Sequence, residues 1–305
     1  MTQRMERKLP FPLRERIKSA GFVLTAEVTP PLSSDPADLL QRVAPLKELA
    51  DAVNITDGAG ARAHLDALVA SHLLAQNGIE PILQITSRDR NRIALQSELV
   101  GAAALGITNI LALAGDDPSM GDQPDAKGVF DLDSKGIVAT AVSIRDNHQL
   151  PHGRAVGGAA EFFVGVADAP RDPPDGWTPT GLQSKIDAGA QFVQTQFCMD
   201  LRILRRYLHC LAQSGILGRV YILVGVAPLA SARSARWIRS KLQGSIIPDW
   251  IVERLENASD PRAEGEAICV DLLKEMREIE GVAGAHIMAP LNEAAVPRVI
   301  ARARE

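Results

Sequence analysis

The stretch "PILQITSRDRNRIALQSELVGAAALGITNILAL", Pro81–Leu113, contains one helix-like segment between two short apolar runs. Pro81–Ile85 and Asn109–Leu113 are apolar at nearly every position, as strands buried on both faces of a parallel sheet are. Arg90–Leu105 carries apolar residues at helical spacing, and Gly106 follows where a left-handed helix cap is favoured. The stretch therefore predicts a strand–helix–strand unit with parallel strands.

The same alternation continues along the 305-residue chain. Strands are predicted at Phe22–Val28, Ala52–Thr56, Pro81–Ile85, Asn109–Leu113, Phe162–Ala167, Phe192–Gln196, Val220–Val226 and Ala283–Met288. Helices are predicted at Pro36–Leu49, Leu65–Asn77, Arg90–Leu105, Ser134–Asn147, Thr180–Ala188, Leu201–Ser214, one long stretch Ala232–Glu280, and Asn292–Arg302.

Eight strand–helix units favour a single-domain (β/α)₈ TIM barrel spanning residues 1–305, with 1–20 as an N-terminal extension or helix. The structural alternative is an open doubly wound sheet, which usually has a glycine-rich turn after its first strand. Thr29-Pro30-Pro31 occupies that place here, which favours the barrel.

The net charge and overall composition argue against some classes of binding partner. The net charge of −4 gives no reason to expect nucleic acid or an anionic membrane, and no apolar run is long enough to span a bilayer. The first ten residues lack the apolar core of a secretory signal, and the three scattered cysteines fit a reducing cytoplasm. Neither the cysteines nor the six histidines have metal-site spacing, so no metal is expected.

In a TIM barrel the chemistry occurs where the strands end. Polar residues cluster at those positions: Glu27, Thr56, Asp57, Gln84, Thr86, Ser87, Arg88, Asp116, Gln194 and Gln196, with Gly115 directly before Asp116. Buried polar groups need partners, so we expect them to bind each other, water or a ligand rich in hydrogen-bonding edges. Two of the carboxylates, Glu27 and Asp116, are candidates for proton transfer or for stabilising positive charge.

Five segments together resemble the methylenetetrahydrofolate reductase family, in its short bacterial form without a regulatory domain. They are "TAEVTPP", "NITDGAG", "LQITSRDRNRIALQSELVGAAALGITNILALAGDDP", "KIDAGAQFVQTQF" and "VGVAPLAS", in order along nearly the whole chain. The resemblance implies a barrel enzyme of one-carbon metabolism and methionine biosynthesis. It would pass hydride from NADH or NADPH through FAD to 5,10-methylenetetrahydrofolate, giving 5-methyltetrahydrofolate, or run in reverse.

The resemblance also implies residue roles. Glu27 corresponds to the general acid that protonates N10 to open the folate ring, Asp116 to an aspartate near flavin and pterin, and Gln196 to a pterin-binding glutamine. The cofactor would be bound by Thr56, Gln84, Thr86, Ser87, Arg88, Gly115, Asp116 and Lys185. We further expect the apolar neighbours of Glu27 to raise its pKa toward neutrality.

The chain departs from the family pattern where FAD is held. Ala114 replaces an arginine before "GD", and "VADAPRDPP" replaces a tyrosine and a histidine. Arg88, Arg90, Arg92 and Arg171 are candidate replacement contacts for the FAD phosphates. Three alternatives stay open: a flavin-free reductase with direct hydride transfer, a folate-binding subunit that needs a partner, and a methyltransferase. A homo-oligomer also stays open.

Overall fold

Eight parallel strands close into a barrel in the order of the chain, each bonded to the next and β8 to β1. The computed structural model describes residues 12–19, 21–290 and 292–305. The strands are β1 Val23–Val28, β2 Ala52–Ile55, β3 Pro81–Thr86, β4 Asn109–Leu113, β5 Phe163–Asp168, β6 Phe192–Phe197, β7 Tyr221–Val226 and β8 Val282–Ile287. The predicted TIM barrel is confirmed, and each predicted strand is present to within two residues at either end.

The helices surround the barrel. They are α1 Leu13–Lys18, α2 Pro36–Val43, α3 Ala67–Gln76, α4 Arg92–Ala104, α5 Ser134–Asn147, α6 Thr180–Asp187, α7 Leu201–Gln213, α8 Ala232–Lys241, α9 Asp249–Asn257, α10 Pro261–Arg277 and α11 Val296–Arg304. α1 lies in the segment 1–20 expected to be an N-terminal extension or helix, but residues 1–11 and 20 lie outside the described part. No helix in the described ranges is long and apolar enough to cross a membrane.

The single long helix predicted over Ala232–Glu280 is wrong. Three helices, α8, α9 and α10, occupy this stretch. Gly244 has a φ of +83°, Pro248 is the N-cap of α9, and Pro261 is the first residue of α10. Proline favours the first turn of a helix and breaks an interior, so these residues end one helix and begin the next.

Two separate cores stabilise the fold. The larger fills the layer between the barrel and its helices. The smaller lies inside the barrel near the strand beginnings, where Phe163 and Phe192 stack at 4.8 Å between ring centroids. Leu13 and Ile17 of α1 pack against this inner core, so α1 closes the barrel floor. The barrel is therefore closed at one end, and its opposite end carries the polar residues.

Candidate active site

The candidate residues lie at the carboxyl ends of their strands. Glu27, Gln84 and Gln196 are within β1, β3 and β6, one or two residues before each strand ends, while Thr56 and Asp116 follow β2 and β4. Because every strand in the barrel is parallel, these ends share one mouth. The sequence-based expectation that Glu27, Asp116 and Gln196 share one rim therefore agrees with the topology.

A buried polar layer lies directly above the apolar floor. Asn54 and Gln194 face each other across the barrel and exchange two hydrogen bonds, at 2.6 and 3.0 Å. Gln194 Nε2 also donates to Thr25 Oγ1 at 3.1 Å, and Thr25 Oγ1 is 3.0 Å from His286 Nδ1. All four residues are at most 2% exposed. The mutual bonds satisfy groups that would be costly to bury alone.

This layer orients the His286 ring. The two hydrogens of Gln194 Nε2 have acceptors in Asn54 and Thr25, and the Thr25 hydroxyl hydrogen has two acceptors, His286 Nδ1 at 3.0 Å and Ala285 O at 3.4 Å. When the hydroxyl donates to Nδ1, the neutral ring carries its hydrogen on Nε2; when it donates to Ala285 O, Nδ1 can also carry a hydrogen, as it does in the imidazolium. That nitrogen lies 3.5 Å from Glu27 Oε2. The network thus aims a proton-bearing nitrogen at the carboxylate.

Glu27 is held at the mouth by two side chains. Its Oε2 accepts a 2.9 Å hydrogen bond from Gln84 Nε2 and faces His286, and its side chain is 25% exposed. Burial raises the pKa of the Glu27 carboxyl, but the hydrogen bond and positive charge of His286, with the Gln84 hydrogen bond, outweigh it. The net result is a pKa below the ordinary value for glutamate.

The expectation of a raised Glu27 pKa is therefore wrong. Its apolar sequence neighbours, Ala26 and Val28, belong to the outer core between barrel and helices. Side chains alternate between the two faces of a strand, so Glu27 instead faces the barrel interior. The groups it meets there come from β3 and β8, which are remote in sequence.

Asp116 connects two loops at the rim. It is exposed, and its Oδ2 accepts a 2.9 Å hydrogen bond from Gly60 N in the turn after β2. Gly60 has a φ of +63°, a left-handed conformation that glycine adopts without strain. The neighbouring Asp117 instead caps a short 3₁₀ turn by accepting from Ser119 N at 2.8 Å. Asp116 therefore keeps one carboxylate oxygen available at the mouth.

Gln196 lies beside an irregularity between β6 and β7. The pairing register shifts between Gln194 and Phe197, and such a bulge redirects side chains. Gln196 Oε1 accepts a 3.0 Å bond from Phe197 N, whereas within the described ranges nothing accepts from its Nε2. A half-buried amide donor at the mouth is thus available to a ligand.

Most of the candidate cofactor-binding side chains are already bonded within the protein. Thr86 Oγ1 donates to Asp57 at 2.8 Å and Lys185 Nζ donates to Ala167 O at 2.8 Å. Ser87 bonds Ala114 O, and Arg88 bonds Asp89 and Gly58 O. The N-cap of α4 is Asn91, so Thr86 and Ser87 do not cap this helix.

The arginines proposed as phosphate contacts also have partners. Arg90 pairs with Asp57 at 2.6 Å and with Glu98 at 2.7 Å, and Arg92 pairs with Asp131 at 2.8 Å. The Arg171 guanidinium lies 5.4 Å from the centre of the Trp177 ring. Arg88, Arg90 and Arg92 are therefore held by carboxylates and are not poised for phosphate.

One feature nevertheless fits the ring end of a flavin. Thr56 Oγ1 is buried and has no hydrogen-bond partner in the described structure, so it can bond a polar edge of a heterocycle. Gly115, with a φ of +95°, instead packs on the end of β3, because an added Cβ would fall 2.9 and 3.1 Å from the Cβ atoms of Arg88 and Thr86. The residues therefore offer one hydroxyl to the ring and fit the phosphates poorly.

Sequence reasoning missed three members of this network: Thr25, Asn54 and His286. The sequence did contain a hint of their role, because each is a polar residue within a mainly apolar strand. Metal-site spacing relates histidines only to one another, whereas His286 contacts Thr25 and Glu27 of another strand. Their partners come from β1, β2, β6 and β8, so only the closed barrel brings them together.

Comparison with known proteins agrees with this architecture. The family described as methylenetetrahydrofolate reductase matches residues 12–304, which confirms the resemblance seen in the sequence. A 5,10-methylenetetrahydrofolate reductase of Pectobacterium carotovorum subsp. carotovorum is 26% identical over 280 residues, covering 88% of this chain and 85% of the relative. The Salmonella typhimurium (strain LT2) protein of the same name is 26% identical over 252 residues, covering 79% and 76%.

A solved structure also shares the fold. It is an uncharacterized protein from Clostridium thermocellum that binds two copies of 5-methyl-5,6,7,8-tetrahydrofolic acid. The two structures superpose with a TM-score of 0.64 at 13% identity, covering 95% of this chain and 97% of the other.

Proposed function

Because the chain belongs to the methylenetetrahydrofolate reductase family, we propose that residues 1–305 form one catalytic unit that reduces 5,10-methylenetetrahydrofolate to 5-methyltetrahydrofolate, or runs the reverse oxidation. NADH or NADPH is the proposed hydride donor. The observation that carries this proposal is the pairing of Glu27 with His286 at the open end of the barrel, at 3.5 Å. The reductase names of relatives that align over most of their length support the same class.

Glu27 is proposed to deliver the proton that opens the five-membered ring of the substrate at N10. A carboxyl group with a lowered pKa is mostly ionised at neutral pH, so it needs a proton source. In its protonated form His286 gives the Nε2 hydrogen to Glu27 Oε2 across the 3.5 Å between them, and it is left as a neutral ring with its hydrogen on Nδ1, which Thr25 Oγ1 accepts at 3.0 Å. A proton from solvent at the open mouth, where the Glu27 side chain is 25% exposed, restores the imidazolium. The buried layer of Thr25, Asn54 and Gln194 keeps the imidazole aligned for this transfer.

Gln196 and Asp116 are proposed to orient the pterin. The free Nε2 of Gln196 is a donor for a ring carbonyl or ring nitrogen, and the exposed carboxylate of Asp116 is an acceptor for ring N–H groups. Asp116 would also place negative charge near the reacting centre, where the iminium formed on ring opening is positive. The folate-binding protein that shares the fold adds support for a folate substrate.

FAD is the proposed cofactor, and when bound it would supply the hydride chemistry between the nicotinamide and the methylene carbon of the folate. Thr56 would bond its ring system, with Gln84, Thr86, Ser87, Arg88, Gly115, Asp116 and Lys185 around it. In this role Arg88 acts by supporting Gly58 and the turn after β2, since its guanidinium already bonds Gly58 O at 2.9 Å.

The engaged arginines favour a second candidate, a flavin-free reductase with direct hydride transfer. Arg88, Arg90 and Arg92 each hold a carboxylate at 2.6–2.8 Å, so the FAD phosphates would have to find other cations. The nicotinamide would then lie against the pterin in the same mouth. Glu27, His286 and Gln196 keep the same roles in this variant of the reaction.

One experiment tests the function and separates the two forms. The purified protein is examined for flavin absorbance and then mixed with methylenetetrahydrofolate and either NADH or NADPH. We expect 5-methyltetrahydrofolate to form with a flavin spectrum present. Equal activity from a colourless protein would select direct transfer. Folate binding without turnover from either nucleotide would contradict the reductase proposal and would indicate a subunit that needs a partner.

A further inference from the structure

A cavity of about 730 Å³ opens at the barrel end where the strands begin, opposite the mouth that holds Glu27. Phe22, Tyr221 and Val282 line it from the starts of β1, β7 and β8, and Arg277 and Arg304 line it from the ends of α10 and α11. Its volume is within the usual range for small-molecule sites. Nothing in the proposed reaction uses it.

The charge of the lining is entirely positive. Arg219, Arg277 and Arg304 line the cavity, and no aspartate or glutamate is among the described lining residues. Arg219 pairs at 2.8 Å with Asp187, and Arg304 pairs at 2.8 Å with Asp51. Asp187 and Asp51 are not among the described residues that line the cavity. The charged side chains that these lining residues present to the cavity are therefore arginines.

Asp51 is shared by several groups. It bonds the guanidinium groups of both Arg16 and Arg304, and it accepts from Leu24 N at 2.7 Å. The carboxylate of Glu80 also lies close enough to interact with Arg16 and Asp51. Arg304 is therefore a paired cation, and it attracts an anion in the cavity less than an arginine without a carboxylate partner does.

Arg277 is the cation most open to a ligand. It donates one hydrogen bond, at 3.2 Å, to the carbonyl of Ala303, and its guanidinium lies 5.4 Å from the centre of the Phe22 ring. Within the described ranges it has no carboxylate partner. With one hydrogen bond made, the guanidinium keeps other N–H donors for a planar anion with two oxygens.

Apolar surface lies next to these cations. Phe22, Leu217, Tyr221 and Val282 are each half-buried and present side chains to the cavity. The rings of Phe22 and Tyr221 can accept another ring by offset stacking or edge contact. The lining thus combines an apolar surface with a cationic rim.

We infer that this cavity is a binding site for an organic anion that joins a flat apolar ring to a carboxylate or phosphate group. Arg277 binds the anionic group, Arg219 and Arg304 add attraction, and the ring packs on Phe22 and Tyr221. The inference is independent of the proposed reductase activity. Because the site is at the far end of the barrel, its ligand does not compete with substrates at the mouth.

Titration calorimetry with 2-naphthoate tests the site on the full chain. Uncharged 2-naphthamide is the matched ligand, and no other organic anion is present. We expect one 2-naphthoate bound per chain and binding of the amide at least about tenfold weaker, since it lacks the charge that the arginines attract.

The variant Arg277→Gln keeps an amide donor for Ala303 O and removes the charge. We expect it to bind 2-naphthoate at least about tenfold more weakly than the wild type. The control is Lys274→Gln, which removes the same charge one turn earlier on α10 and should bind normally. Thermal unfolding of each variant confirms that it is folded.

Three results would overturn the inference. They are no binding of 2-naphthoate to the wild type, equal affinity for the amide, or unchanged affinity in Arg277→Gln. None of them depends on catalytic turnover, so they leave the proposed function untouched.

Discussion

At the scale of single residues, the environment of Glu27 decides its chemistry. The carboxyl is partly buried, which alone would favour its neutral form, yet His286 and Gln84 hold its pKa below the ordinary value. Glu27 is therefore better described as one half of a proton-sharing pair than as an isolated acid. The other half, His286, is fixed by three buried side chains.

Replacing the histidine tests this pair. His286→Asn keeps a hydrogen-bond donor but cannot carry a proton, so we expect methylenetetrahydrofolate reduction to fall about 10²-fold or more. Binding of 5-methyltetrahydrofolate should persist. Steady-state turnover and calorimetry measure the two effects, with His209→Asn on the exposed face of α7 as the control. Wild-type turnover in His286→Asn would remove His286 from the mechanism.

At the scale of elements, a buried ionic cluster ties α4 to the ends of β2 and β3. Arg90 pairs with both Asp57 and Glu98, and Asp57 also accepts from Thr86 N and Thr86 Oγ1, each at 2.8 Å. Glu98 Oε1 has no hydrogen-bond partner in the described structure. Burial raises the pKa of the Glu98 carboxyl to about 7, with Arg90 opposing and Asp57 and Asp66 reinforcing the shift.

The raised pKa predicts a pH-dependent loss of stability. Between pH 4.5 and 7 the folded state binds a proton at Glu98 that the unfolded chain has released, so stability falls as pH rises through this window. The shift corresponds to about 3 kcal/mol. Glu98→Gln should lack this contribution.

Urea unfolding at pH 5 and pH 8 measures the pH-dependent contribution of Glu98 to stability. The free energy of unfolding of the wild type should fall, relative to Glu98→Gln, by about 1–3 kcal/mol over this range. Glu253→Gln, an exposed replacement on α9, should follow the wild type. A difference between wild type and Glu98→Gln that does not change with pH would contradict the raised pKa.

The elements also show what sequence can and cannot predict. Apolar runs located all eight strands, because strand burial is a local property. The positive φ of Gly106 agrees with its expected role as the cap that ends a helix before β4, and Gly78 and Gly189 have a positive φ in the same position before β3 and β6. The split of α8, α9 and α10 was missed because continuous apolar spacing outweighed Gly244, Pro248 and Pro261.

The candidate site shows the same difference between local features, which sequence predicts, and contacts between distant residues, which it does not. Position at a strand end is local, so Glu27, Asp116 and Gln196 could be placed at the mouth from sequence. The partners of a side chain across the barrel are not local. That is why the His286 contact, and with it the direction of the Glu27 pKa, could not be predicted.

At the scale of the whole molecule, the barrel interior changes from apolar to polar along its axis. α1 closes the apolar floor, the Thr25–Asn54–Gln194–His286 layer lies above it, and Glu27 and Gln84 form the mouth. The floor excludes water from one side of the polar layer, which strengthens the hydrogen bonds within it. Closure by α1 therefore supports the site from a distance.

Truncating a residue of α1 tests this closure. Leu13 is fully buried in the inner core, so Leu13→Ala should lower the free energy of unfolding by about 2–5 kcal/mol. Leu32→Ala, at a position 78% exposed, should change it by less than about 0.5 kcal/mol. Chemical denaturation measures both. Equal stability of the two variants would show that α1 does not close the barrel.

The most direct test of the account is single-turnover reduction of methylenetetrahydrofolate by Glu27→Gln. The amide fills the same space beside Gln84 and His286 but cannot donate an acidic proton. The account predicts that reduction of the folate slows by about 10²–10⁴-fold while NAD(P)H oxidation by an artificial acceptor is unchanged. Folate reduction at the wild-type rate in Glu27→Gln would contradict it.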